Sequence, residues 1–88
     1  VTNDHPAAQV LAQEGLRHIE SAILMLLESH PDGLRNSQIA ALLGLRSSIR
    51  DGQRNYLTYS VLGGLMARGA VVQNRDTKIF IKAGNREA

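Results

Sequence analysis

The residues best suited to chemistry sit in one stretch, "RSSIRDGQRN", positions 46 to 55. Arg46, Ser47, Ser48 and Arg50 set two hydroxyls between guanidinium groups. That set suits phosphate oxygens, which accept from both donor types. It does not suit nucleophilic catalysis, because no general base stands near either serine in sequence. The bland alternative is a solvated polar loop. Gln53, Arg54 and Asn55 follow, at the opening of an apolar-patterned segment. Arginine matches the edge of guanine, and Asn or Gln match adenine. Asn55 equally suits a plain helix-capping role.

Three further groups have the same character. Arg35, Asn36 and Ser37 open the short segment "NSQIAALLGL". Free N–H groups at a helix start attract anions, although capping by Asn36 accounts for that residue alone. Tyr56 and Tyr59 are three apart and share one helix face. A tyrosine hydroxyl can bond phosphate, and its ring can press on a sugar or a thymine methyl. Tyr59 is expected to close the core instead, while Tyr56 suits either role. Arg75 stands in the turn of a C-terminal hairpin, with Lys78 and Lys82 on its second strand. Arg75 can enter a minor groove and the lysines can neutralise phosphates. Lys82 fits better as protection of an exposed strand edge. The histidines His5, His18 and His30 are too far apart in sequence to converge on one helix turn. No metal site, cofactor or small-molecule substrate is expected, and no enzyme.

Eighty-eight residues make one domain. Hydrophobic residues form 43% of the chain, enough for a folded core. There is no cysteine, which excludes disulfides and thiolate metal sites and fits a cytoplasmic location. No apolar run approaches the roughly 20 residues of a membrane span. The opening "VTNDHPAAQ" is polar and acidic, unlike a secretory signal, and its first residue is Val, as in a fragment or a processed chain. Charge is unevenly distributed. Residues 1 to 34 carry one arginine against five carboxylates, a net of −4. Residues 35 to 88 carry nine Lys and Arg against three carboxylates, a net of +6. An acidic scaffold joined to a half that meets an anion explains the split; scatter over a solvated surface is the alternative.

The periodicity predicts a first helix over residues 6 to 29, with Leu16, Ile19, Ile23, Leu26 and Leu27 as its apolar stripe. Gly15 is its weak point, so residues 1 to 15 are a separate extension or the front of that helix. "HPDG" is a turn, with Leu34 a single residue of strand after it. A short helix over residues 37 to 43 ends at Gly44, and a polar loop follows. Leu57, Val61, Leu62, Leu65 and Met66 mark a third helix, stopped by Gly69. Gly63 and Gly64 within it suggest close packing, on the first helix or on a partner chain. Residues 70 to 73 and 78 to 82 form a hairpin around "NRDT". It is expected to bury Val71, Ile79 and Ile81, with Lys78, Phe80 and Lys82 on the opposite face. The last residues, from 84, are a frayed tail.

This order resembles the winged helix-turn-helix family over residues 16 to 83. "LRNSQIAALLGL" is similar to the first helix of that motif, and "YLTYSVLGGLMARGAVVQ" looks like its recognition helix running into the wing. The longer stretch, positions 33 to 72, looks like the winged helix modules that accompany some bacterial restriction endonucleases. The connection between the two helices exceeds the usual three- or four-residue turn. The resemblance implies an α+β, mostly α fold of three helices and a two-stranded wing. It implies double-stranded DNA as partner, with the recognition helix in the major groove. Transcription regulation or targeting of a nuclease would be its use, as a homodimer or within a multi-domain protein. The alternative is a docking module that binds protein through its acidic helix and mid-helix glycines.

Overall fold

The computed structural model of the protein describes residues 5–46 and 55–84. Its elements follow in the order α1 (His5–Glu28), β1 (Leu34–Arg35), α2 (Asn36–Leu42), α3 (Tyr56–Ala67), β2 (Val71–Asn74) and β3 (Ile79–Lys82). The strands form one antiparallel sheet in the order β1-β3-β2. No helix among the described residues is long and apolar enough to cross a membrane.

α1 runs through Gly15 without a break. Its expected stripe is present: Ile23 and Leu27 are fully buried, and Leu16, Ile19 and Leu26 pack against the same cluster. Residues 5–14 are all exposed. At the other end, His30 Nδ1 bonds the Leu26 carbonyl at 2.9 Å and satisfies one of the helix's last acceptors. The chain then turns back through a bond from Gly33 N–H to the His30 carbonyl, 2.8 Å.

β1 fixes what comes next. Leu34 and Arg35 pair with Phe80 and Ile79 of β3, so the backbone stays extended through Arg35. Arg35, not Asn36, is therefore the N-cap of α2. Gln38 accepts from the Arg35 backbone N–H at 2.8 Å, one half of a capping box. α2 and α3 both stop at the expected glycines. In each, two bonds satisfy the last carbonyls: Gly44 to Ala41 with Leu45 to Ala40, and Gly69 to Met66 with Ala70 to Leu65.

α3 buries Thr58, Val61, Leu62 and Leu65. Leu57, placed in the stripe by sequence, is 48% exposed, and Thr58 takes the inward position. Of the two packings expected for the mid-helix glycines, the one on α1 is not found. A Cβ built on Gly63 or Gly64 would meet nothing within 4 Å, so neither packs closely on α1.

Val71 is buried as expected, but the second strand of the hairpin is inverted relative to its expected faces. Phe80 is 1% exposed and joins Val71 in the core, while Ile79 and Ile81 are only half-buried. The register explains it: Phe80 lies at the centre of the sheet, opposite Leu34 on one side and Gln73 on the other. There it closes over Ile23, Leu27, Ile39, Leu62 and Leu65.

Candidate nucleic-acid interface

Three elements converge beside Phe80: the start of α2, the start of α3 and the β2–β3 hairpin. Between them lies an open hollow of about 310 Å³. Its polar walls are Arg35, Asn36, Ser37, Asn55, Gln73 and Lys78, and Tyr59 and Phe80 supply the apolar part. Five of the residues singled out by sequence, Arg35, Asn36, Ser37, Asn55 and Lys78, thus meet in one place although the first and last stand 43 positions apart in the chain.

Each is held by local structure. Arg35 Nε donates to the Thr77 carbonyl at 3.2 Å, which ties the start of α2 to the hairpin turn. Asn36, released from capping, turns toward α3. Its Nδ2 donates to the Asn55 carbonyl at 3.3 Å, and its Oδ1 accepts from Thr58 Oγ1 at 2.7 Å. Thr58 Oγ1 also lies 3.2 Å from the Asn55 carbonyl. Asn55 is the N-cap of α3, in the left-handed region at φ 54, and is only 2% exposed. This partly buried polar triangle sets the start of α3 against the start of α2. The hairpin turn is fastened in turn by Asn74, whose Oδ1 accepts from the Asp76 and Thr77 N–H groups at 2.8 and 3.1 Å. Lys78 closes the turn at φ 66 and is exposed.

The other expected residues are placed as follows. Arg75 is exposed in the hairpin turn, and Arg46 is exposed after α2. Tyr56 and Tyr59 are 59% and 58% exposed, so Tyr59 lies at the surface and not in the core as expected. Ser47, Ser48, Arg50, Gln53 and Arg54 lie outside the described residues. Thr58 and Gln73 were not singled out. For Thr58 a signal existed: it stands three, four and seven positions before Val61, Leu62 and Leu65, which makes it an inward position on that helix.

Charge is also sorted by the fold. Glu20 of α1 pairs with Arg68 at 3.0 Å, and Glu28 pairs with Lys82 at 3.3 Å. The acidic helix thus engages cations that do not line the hollow. Arg35, Arg75 and Lys78 make no ion pair with another described residue. Among the described residues, no cluster of His, Asp and Glu could hold a metal ion.

Thr58→Val keeps the shape of the side chain but removes the donor to Asn36. About 1–3 kcal/mol of stability should be lost, because the Asn36 Oδ1 acceptor loses its donor, while the Asn55 carbonyl keeps Asn36 Nδ2 and the Tyr59 N–H. A thermal melt followed by circular dichroism checks this, and an unchanged Tm would contradict it. Comparison of the chain with protein-family models, with curated proteins and with solved structures found no match.

Proposed function

We propose that the chain is a winged helix-turn-helix domain that binds double-stranded DNA. α3 serves as the recognition helix in the major groove, α2 with its approach holds phosphate, and the β2–β3 hairpin is the wing. The carrying observation is the hollow at the α2–α3–hairpin junction, where Arg35 and Lys78 stand with Ser37 and the amides of Asn36, Asn55 and Gln73. Two cations, with the Ser37 hydroxyl and the Gln73 amide, fit a phosphate diester, which offers acceptors and a negative charge, while Asn36 and Asn55 hold the two helix starts together. Pairing of Arg68 and Lys82 with α1 leaves the cations of this side for an external anion. Transcription regulation and targeting of a nuclease are the two uses that suit such a domain; it performs no chemistry itself.

Lys78→Asn tests the assignment with little disturbance. Asparagine tolerates the left-handed backbone that Lys78 occupies, so removing the cation need not strain the turn. Affinity for duplex DNA should fall about fivefold to tenfold, equally across sequences, and the salt slope should drop by about one unit. Titration by fluorescence anisotropy at several salt concentrations reads both. An unaltered slope would remove Lys78 from the phosphate contacts.

A further inference from the structure

Resting on that duplex-binding reading, the composition of α3 says what the helix can read. Its twelve residues, "YLTYSVLGGLMA", include no charged side chain and no Asn or Gln. Yet a whole face of it is open. Tyr56 and Tyr59 are more than half exposed, and Ser60, Gly64 and Ala67 are exposed with them. The space above Gly63 and Gly64 is empty, so the second half of this face is low and the backbone can come close to a flat surface. The surroundings differ sharply in charge: Tyr59 also lines the hollow that holds Arg35 and Lys78. A polyanion drawn to those cations would lie against an uncharged, apolar and hydroxyl-bearing helix face.

Such a face cannot make the two-pronged hydrogen bonds by which Arg selects guanine and Asn or Gln selects adenine. The major groove offers it one apolar feature, the C5-methyl group of a pyrimidine. We propose that α3 selects duplex DNA through apolar contact with pyrimidine C5-methyl groups, with Tyr59 as a principal contact. Thymine and 5-methylcytosine both present that group. Guanine selection by arginine would have to come from outside α3.

The test measures anisotropy with the full chain on two pairs of duplexes. The first pair is alternating A·T DNA and the same duplex with uracil for thymine, which deletes only the methyl. The second is alternating G·C DNA and the same duplex with 5-methylcytosine for cytosine. The methylated member should bind more tightly in at least one pair, by about fourfold per contacted methyl. A preference in the first pair alone identifies thymine as the source, and one in the second alone identifies 5-methylcytosine. Tyr59→Ala should reduce the preference while lowering the melt only slightly, since the residue is 58% exposed. Equal affinities within both pairs, with steep salt dependence intact, would overturn the methyl contact and leave duplex binding standing. Absence of binding to all four duplexes would remove the reading on which it rests. A preference that survives Tyr59→Ala would overturn the role of this face. Self-association in sedimentation that Tyr59→Ala abolishes would assign the face to a second copy of the chain and overturn the proposal.

Discussion

Gly33→Ala should cost the protein much of its stability. Gly33 has φ +89, where an alanine is strained by about 1–2 kcal/mol from backbone sterics alone. The larger cost is a collision. A Cβ there would stand 2.6 Å from the Phe80 carbonyl oxygen, 2.7 Å from Ile81 Cγ2, and closer still to Ile79 Cγ2. The isoleucine methyls can rotate away, but the carbonyl belongs to the central strand of the sheet. β3 must shift, and it carries Phe80 and the pairing with β1 that starts α2. The loss should be about 4 kcal/mol or more, against a total stability on the order of 5–15 kcal/mol. A urea titration followed by circular dichroism measures it. A midpoint close to that of the parent would show that the turn yields without moving the strand.

Phe80→Ala should be of the same size for a different reason. Phe80 is 1% exposed and is the largest fully buried side chain among the described residues. It touches the apolar cluster formed by α1, α2 and α3, so its removal leaves a cavity at the junction of every layer. Truncating a buried phenylalanine costs about 3–5 kcal/mol, a fall in Tm of about 15–30 °C for a domain of this size. Ile81→Ala removes a half-buried chain from the other face and should cost distinctly less. The reverse ranking would restore the hairpin orientation expected from sequence.

That orientation shows where sequence reading stopped. Alternation along "KIFIK" establishes that Phe80 and the two isoleucines face opposite ways, but not which face is inward. The decision comes from long-range pairing: β1 adds to β3 and places Phe80 opposite Leu34, a partner only two residues long and over 40 positions away. The cap of α2 follows the same logic: local chemistry points to Asn36, and pairing at Arg35 moves the cap back by one residue. The α1 stripe and the glycine stops at Gly44 and Gly69 were legible, because each depends on local chemistry alone. Residue type points Tyr59 inward, whereas the spacing of Thr58, Val61, Leu62 and Leu65 excludes it from the buried face. For the candidate site, chemistry named Arg35, Asn36, Ser37, Asn55 and Lys78, and only the fold could bring them together.

The central claim is that the basic side of this domain meets duplex DNA. The most direct measurement is binding of the protein to random-sequence double-stranded DNA by fluorescence anisotropy across a salt series. Neutralising several phosphates should give a slope of log affinity against log salt on the order of −4, from about 0.9 per phosphate contacted. Absence of binding at low salt, or an affinity indifferent to salt, would contradict the account.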